Sequence, residues 1–255
     1  MPLVTLEETF SWMLIFGRVG GLLFFIPPFA GRVVPVQLRV GLAFLLAYIL
    51  SSVVPVVDGV PVHFMGFMLS MIYEIILGVL LGFVVRIFFF IIEFAGQVIS
   101  TEMGLMMSSS FNPSSNEHSS TVTHVLYYFG IILFFVVGAH KAVIQGLVRS
   151  FDWVPAGKAM MLSAGSSDLL VRASSEVFLL AVQIAAPVIG VNFLVNFTFS
   201  ILGKVVPRMN VFMVSFSVRI LAGFTILLAA LGVITHYLMT QADREIELMV
   251  QVIAS

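Results

Sequence analysis

Cysteine is absent from this 255-residue chain, and charged residues make up only 10% of it. The lack of cysteine excludes disulfides and thiolate metal sites, and soluble domains ordinarily carry about 25% charged residues. Basic runs are also missing and the net charge is −1, so nothing indicates nucleic acid as a partner. What is abundant is apolar: 60% of the residues are hydrophobic, and the mean hydropathy is +1.13. The chain therefore belongs in a membrane or a large apolar assembly.

Six long apolar segments are predicted to be helices. Each is long enough to cross a hydrocarbon core, which takes about 20 residues, and none shows the strict alternation of apolar and polar residues that a membrane barrel strand requires. The third would run about 43 Å as one helix against a core of about 30 Å, so it must tilt, bend or lie partly outside. In a six-span arrangement, lysine and arginine would occur in loops on both sides of the membrane, whereas they normally concentrate on one side. Something other than lipid is therefore expected around these helices. The acidic start, MPLVTLEETF, does not resemble a cleaved secretory signal. The six segments are Phe10–Ala30, Val40–Val57, Phe64–Ile92, Val125–Leu147, Val177–Leu202 and Val211–Leu238.

One long polar stretch, Glu93–His124, interrupts the apolar sequence. Seven serines crowd residues 108–120, and three methionines precede that serine-rich part. Methionine is flexible and polarizable, which suits a seal that must deform and re-form, although ordinary helix packing is its commoner role. A soft apolar cluster beside a loop of small residues is what a movable stopper in a pore requires. The residues of this candidate gate are Met103, Met106, Met107, Phe111, Asn112 and Pro113.

Several charged residues lie inside apolar segments, among them Arg18, Glu74, Arg86 and Arg219. Charges within a membrane are costly and by default face a protein interior or a wet cavity. Glu74 and Arg86 are about 18 Å apart along a helix, so they cannot pair with each other in one straight helix. Two interpretations remain: a proton or ion relay, or separate pairing of each charge with a neighbouring helix or subunit, the second being favoured.

A polar stripe leads into the serine-rich loop. Glu93, Gln97, Ser100 and Gly104 share one helical face, whereas Glu102 points elsewhere. This stripe could line an aqueous path, or it could hydrogen-bond an adjacent subunit.

Two pairs of glycines are spaced for close helix packing. Gly17 and Gly21, and Gly78 and Gly82, each lie four residues apart on one helical face, where a second backbone can approach closely. This pattern is common in membrane bundles and predicts packing rather than chemistry.

Enzyme motifs are weak. The five histidines form no i, i+4 pair, and no P-loop, dinucleotide fingerprint or nucleophile elbow is present. A membrane-embedded hydrolase using His118 or His124 is a distant alternative, because a Ser/Asn-rich loop is a poor scaffold for a triad. The sequence therefore predicts no catalytic residue, no metal site and no cofactor.

Ordered motifs across nearly the whole chain resemble the FliR family, the R subunit of the flagellar type III export gate, which has counterparts in virulence secretion. No single motif is specific, but the set occurs in the right order. It comprises Arg18, FFIPPF (Phe24–Phe29), Val34-Pro35, Leu38-Arg39, Glu74 with Gly78 and Gly82-Phe83, AGQVISTEMGL (Ala95–Leu105), VVGAHKAV (Val136–Val143), SFDWVP (Ser150–Pro155), AAPVIGVNFLVN (Ala185–Asn196), Gly203-Lys204, Pro207 and MNVF (Met209–Phe212).

The resemblance implies an all-α, non-enzymatic, pore-forming subunit with bent helices, arranged as hairpins that pack into a larger hetero-oligomeric helical assembly. Its implied partners are the P and Q subunits, the B-type switch protein, the A-type export protein and unfolded flagellar substrates in transit. The implied location is the bacterial inner membrane at the flagellar basal body. Residues 1–255 would form one domain, with about 1–200 resembling the P subunit and about 203–255 a Q-type helical hairpin. Residues 106–120 would form a plug, with Phe111 as its stopper.

The main rival is a secondary transporter that uses Glu74, Arg86, Glu93 and Glu102 as a coupling and substrate site. It is weakened because the sequence shows no defensible internal repeat and no cluster of acids near a membrane midplane.

Overall fold

A computed structural model describes residues 6–30, 34–55, 64–106, 121–158, 165–206 and 208–254, with side chains described within 7–30, 34–55, 64–106, 121–158, 174–206 and 208–240. Eight helices and no strand occur within these ranges, which confirms the predicted all-α, membrane-type fold. The helices are α1 Leu6–Phe25, α2 Pro27–Ala30, α3 Val36–Leu50, α4 Phe64–Glu102, α5 Thr121–Val136, α6 Ala139–Trp153, α7 Gly165–Val205 and α8 Val211–Ala254.

Among the described residues, four helices are long and apolar enough to cross a membrane, and a bent pair raises the number to five, so two of the six predicted segments do not form single straight spans. The second predicted segment forms only α3, whose 15 residues extend about 22 Å. The hydroxyls of Ser51 and Ser52 donate to the carbonyls of Tyr48 and Ile49 just past its end. The four spans are Glu7–Phe25, Phe64–Glu102, Ser174–Val205 and Val211–Thr240.

The fourth predicted segment is broken into α5 and α6, which are bent by 66°. Gly138 lies between them with φ +81°, a left-handed conformation that glycine adopts without steric cost. α6 is amphipathic: Val143 and Leu147 are buried, whereas Lys141 and Arg149 are exposed. Hydropathy alone therefore predicted one continuous segment where the structure has two helices.

The third predicted segment is longer than expected, because α4 continues for 39 residues. Such a helix extends about 58 Å, nearly twice the hydrocarbon thickness of about 30 Å. A large part of α4 must therefore lie outside a bilayer core or cross it at a steep tilt.

The chain divides into two compact units that alternate along the sequence. The first comprises Met1–Phe88, Gly138–Ala173 and Ala242–Ser255, and the second comprises Phe89–Val137 and Ser174–Gln241.

Within the first unit, α1 and α4 approach each other through glycines, as their spacing predicts. A Cβ atom added to Gly78 would lie 2.1 Å from the backbone oxygen of Arg18, and one added to Gly21 would lie 2.5 Å from that of Ile75. Backbones at this separation leave no room for a methyl group. The two helices therefore meet almost backbone to backbone.

Within the second unit, α7 and α8 form an antiparallel hairpin. Near the turn, Val211 lies against Gly203, and farther along, the Tyr237 hydroxyl donates to Gln183. The C-terminal part of α4 packs against α5, where Gly96 faces Thr123. Phe94 of α4 packs edge-on against Phe178 of α7 with 5.0 Å between ring centres, so the end of α4 also lies beside the hairpin.

Candidate functional site

Arg18 and Glu74 form a fully buried ion pair between α1 and α4. The Nε and Nη2 atoms of Arg18 donate to the two carboxylate oxygens of Glu74 at 2.6 and 3.1 Å, a bidentate arrangement. Both side chains have no exposed surface. A bidentate guanidinium–carboxylate pair neutralises both charges and fixes their relative orientation.

Three further hydrogen bonds complete this buried network. Arg18 donates from Nη1 to the Ser150 hydroxyl at 3.0 Å and from Nη2 to the Val154 carbonyl at 2.9 Å. Glu74 accepts from the Gly157 amide at 2.8 Å. The guanidinium also lies 4.0 Å from the centre of the Phe151 ring, a cation–π contact. The network therefore ties α1, α4, α6 and the turn after α6 together.

The close glycine packing explains why this pair can form. Gly78 lies one turn beyond Glu74 on α4 and touches the backbone of Arg18 itself. The guanidinium is thereby held at the α1–α4 interface, where lipid and water are excluded. Arg86 lies about three turns beyond Glu74 on α4. Its guanidinium is 5.2 Å from the ring centre of Phe25. Glu74 and Arg86 thus have separate neighbours.

Sequence reasoning singled out Arg18 and Glu74 separately but missed their partners Ser150, Val154 and Gly157. Ser150 and Val154 lie in the SFDWVP motif, which the sequence marks only through the family resemblance. Ser150 lies within the amphipathic α6, on the same face as the buried Val143 and Leu147, and its position on that apolar face was the available signal.

We name Met103–Met106, which follows the last residue of α4, the gate turn. Gly104 has φ +76° and donates its amide to the Thr101 carbonyl at 3.0 Å, while Leu105 donates to the Ser100 carbonyl at 3.0 Å. This is a Schellman cap, which ends the helix at a glycine. The sequence places this glycine directly between the candidate gate methionines.

The gate turn packs on one face of α8. Met103 has no exposed surface, and a Cβ atom on Gly223 would lie 2.6 Å from its Cγ. Gly104 faces the Phe216 ring. Met106 is half-buried, with its sulfur 3.1 Å from the Thr101 hydroxyl. The predicted gate residues Met107, Phe111, Asn112 and Pro113 lie outside the described residues.

Arg219 lies between the two α8 residues that touch the gate turn. Phe216, Arg219 and Gly223 follow an i, i+3, i+7 spacing and so share one helical face. Arg219 is half-buried, and its Nε has no hydrogen-bond partner among the described residues. Asn192 on α7 is fully buried, and neither its side-chain nitrogen nor its side-chain oxygen has a hydrogen-bond partner among the described residues. Sequence reasoning missed Asn192.

The predicted polar stripe on α4 is not uniformly accessible. Gln97 is exposed, Glu93 and Glu102 are half-buried, and Ser100 is buried with its hydroxyl donating to the Gly96 carbonyl at 2.7 Å. The arrangement offers polar groups along the helix but brings no two of its acids together. Among the described residues, no group of three histidine or acidic side chains could hold a metal ion.

The gate turn yields a first testable prediction. We expect Gly104→Ala to lower the free energy of unfolding by about 1–2 kcal/mol, because alanine is strained in the left-handed region and its methyl group would lie 3.0 Å from Phe216. The measurement is unfolding of the detergent-solubilised chain by SDS titration, followed by circular dichroism.

Gly138→Ala is the matched control for this substitution. Gly138 has nearly the same φ, +81°, but nothing within 4 Å of an added Cβ atom, so it reports backbone strain alone. A smaller loss at Gly138 than at Gly104 isolates the contact with Phe216. Equal losses would show that the α8 contact does not hold the gate turn.

Comparison with known proteins identifies the family. The chain is 29% identical over 246 residues to the flagellar biosynthetic protein FliR of Caulobacter vibrioides, with 96% of each chain covered. It is 26% identical to FliR of Bacillus subtilis, covering 88% of this chain and 87% of that one, and 25% identical to FliR of Escherichia coli, covering 92% and 90%. Residues 9–244 match the family described as bacterial export proteins, family 1. The chain therefore belongs to the bacterial export proteins, family 1, and its predicted membership of the FliR family is confirmed.

Proposed function

We propose that this protein is a non-enzymatic, pore-forming subunit of the flagellar type III export gate, located in the bacterial inner membrane at the flagellar basal body. The observation that carries the proposal is the family match over residues 9–244, joined by relatives that are all named flagellar biosynthetic proteins. The long apolar helices support a membrane location. In this proposal, the role of the protein is to form and seal a conduit for unfolded flagellar proteins.

The gate turn supports the sealing role. A long helix, α4, ends in a glycine cap whose first residue, Met103, is packed firmly against α8. A rigid anchor of this kind gives a following plug, residues 106–120, a fixed point from which to move. Met106 and Phe111 then supply the deformable apolar surface. Arg219 offers a polar contact beside that anchor, because it lies on the same face of α8 as Phe216 and Gly223.

The exposed surface of the α7–α8 hairpin supports assembly with other subunits. Apolar side chains are exposed on both helices, including Phe193 at 65% and Leu221 at 71%. An apolar surface of this extent is covered by lipid or by other proteins. We assign part of it to contact with the P and Q subunits, and propose the B-type switch protein and the A-type export protein as neighbours in the same apparatus.

The buried network weighs against the transporter alternative. Glu74 has no exposed surface and is bonded by Arg18 and the Gly157 amide, so ions or substrates cannot reach it without breaking the pair. A coupling site needs several titratable groups within reach of one another. Glu93 and Glu102 lie on the part of α4 that belongs to the other compact unit.

Shortening the plug tests the sealing role. We expect replacement of Met106–Ser120 by a shorter Gly/Ser segment to make the assembled complex leak small ions, because the apolar stopper is removed. The measurement is ion flux through proteoliposomes that contain the purified complex. Met213→Ser is a control, since this exposed α8 methionine lies outside the plug. Unchanged permeability in a normally assembled complex would contradict the sealing role.

A further inference from the structure

The C-terminal part of α4 is packed against three helices but keeps one side open. Gly96 contacts α5, Phe94 contacts α7 and Met103 contacts α8. The residues on the open side lie within about 80° of one another around the helix axis. We name them the open stripe, and each is exposed or half-buried: Phe90, Glu93, Gln97 and Thr101.

The open stripe differs from the polar face that the sequence predicts and leads to the gate turn. Ser100 and Gly104 of the predicted face are buried, whereas Thr101 is exposed. The stripe extends about 16 Å along α4. At its end, the Thr101 hydroxyl donates to the Gln97 carbonyl at 2.8 Å and lies 3.1 Å from the sulfur of Met106. A mostly polar surface therefore runs up to the half-buried methionine of the gate turn.

The polar side chains of the open stripe need water or a polar partner. Within the described part of the chain, Glu93 and Gln97 have no hydrogen-bond or ion-pair partner for their side chains. Acyl chains offer no hydrogen bonds, so a carboxylate and an amide that faced lipid would both be costly. A neighbouring subunit is a poorer cover than water, because the cores of protein interfaces are depleted of charged residues. The exposed apolar faces of α7 and α8 suit such contacts better.

We propose that Glu93, Gln97 and Thr101 line the aqueous conduit as it approaches the gate turn, and that Glu93 makes this part of the conduit prefer cations. The inference rests on the proposed pore-forming role and deepens it, because it specifies the face of the chain that ions in transit contact. Glu93 is the one charged member of the open stripe. Gln97 lies one helical turn away, at about 6 Å, so a cation beside it is favoured over an anion.

Cysteine labelling can test this face directly, because the chain has no cysteine of its own. The complex that contains the Gln97→Cys variant is purified into nanodiscs, which leave both ends of a conduit accessible. It is treated at low ionic strength with two small methanethiosulfonates, one bearing a trimethylammonium group and the other a sulfonate. Each rate is divided by that of the same reagent with a free thiol. We expect about tenfold faster reaction with the cationic reagent, the ratio that one charge about 6 Å away produces in water.

Three further variants serve as controls. Glu93→Gln, combined with Gln97→Cys, should bring the ratio of the two rates to about one. Ser100→Cys should remain unlabelled, because Ser100 is buried on the same helix. Leu221→Cys should also remain largely unlabelled in the complex, although Leu221 is 71% exposed in the chain, because an apolar face of this kind is covered by lipid or protein.

Several results would overturn the proposal. Fast labelling of Gln97→Cys in the isolated chain but slow labelling in the complex would show that a neighbouring subunit covers the open stripe. Slow labelling in both would show that water does not reach it. Equal rates at Gln97→Cys and Leu221→Cys would mean that labelling reports exposure in the chain and not a conduit.

The assignment of cation preference to Glu93 has its own test. A rate ratio that Glu93→Gln leaves unchanged would show that another group sets the preference. The subunits that purify with the labelled chain are identified separately by mass spectrometry. Failure of the pore-forming role, seen as a chain without partner subunits, is thereby distinguished from failure of the open stripe to face water.

Discussion

Arg18→Met should lower the free energy of unfolding by about 3–5 kcal/mol, because it leaves the Glu74 carboxylate buried without its cation. Glu74→Leu should cost a similar amount, since it leaves a buried guanidinium. Both side chains have no exposed surface, so water cannot replace the missing partner without opening the α1–α4 interface. Unfolding in mixed micelles by SDS titration, followed by circular dichroism, measures both losses.

The double variant separates charge compensation from packing. Arg18→Met combined with Glu74→Leu should recover most of the stability, because apolar replacement of a whole buried ion pair is often neutral or stabilising. Arg86→Met is a control for removing an arginine from an apolar helix, since Arg86 is half-buried and packs on Phe25. If the double variant were as unstable as either single variant, the destabilisation would not come from leaving one charge of the pair uncompensated.

The same variants distinguish a structural pair from a proton relay. A relay requires a group that takes up and releases protons, so the double variant would lose ion-coupled export even when it is folded and assembled. A structural pair predicts export at near the parental level in that variant. Secretion of a flagellar substrate, measured with the membrane potential held constant, therefore decides between the two interpretations left open by the sequence.

The helical, membrane-type fold could be predicted from the sequence because hydropathy and helix length are local properties. Close helix packing at Gly21 and Gly78 was also readable, since their spacings expose a strip of bare backbone, but the spacings did not show that α1 and α4 are the helices that meet. The positions of Arg18 and Glu74 were visible as charges within apolar segments. That they pair with each other was not visible, because they are separated by 56 residues and only tertiary packing brings them together.

The errors in the predicted spans also have physical causes. An apolar run reads as continuous even when a glycine adopts the left-handed conformation, as Gly138 does between α5 and α6. The early end of α3 was similarly hidden, because Ser51 and Ser52 follow an apolar run that continues beyond them. Local backbone geometry, which hydropathy does not record, decided both cases.

The candidate gate was predictable only in part. The methionines beside a glycine and a serine-rich stretch marked the end of α4, and the gate turn lies there. Met103 contacts Gly223, which lies 120 positions later in the sequence, and no local sequence pattern predicts this contact. The Asn192 amide, which has no hydrogen-bond partner in the described part of the chain, lies within an apolar run, and no local pattern marks it.

Gly78→Ala is expected to disrupt the first compact unit, with a loss of at least about 3 kcal/mol in the free energy of unfolding. The added methyl group would lie 2.1 Å from the Arg18 carbonyl oxygen and 2.9 Å from its carbon. Backbone atoms cannot rotate away as a side chain can, so α1 and α4 must separate. Separation also stretches the hydrogen bonds between Arg18 and Glu74. The effect therefore exceeds that of an ordinary overpacked core residue.

Two neighbouring glycines on α1 provide the control for this prediction. Gly21→Ala should also destabilise the unit, because its methyl group would lie 2.5 Å from the Ile75 backbone oxygen, whereas Gly20 has nothing within 4 Å of an added Cβ atom. Gly20→Ala should therefore be neutral or stabilising by up to about 1 kcal/mol, since alanine favours helix over glycine. SDS-titration unfolding compares all three variants. A Gly21 variant as stable as the Gly20 variant would mean that the backbones are not in contact, and the buried ion pair would then need another explanation for its exclusion from water.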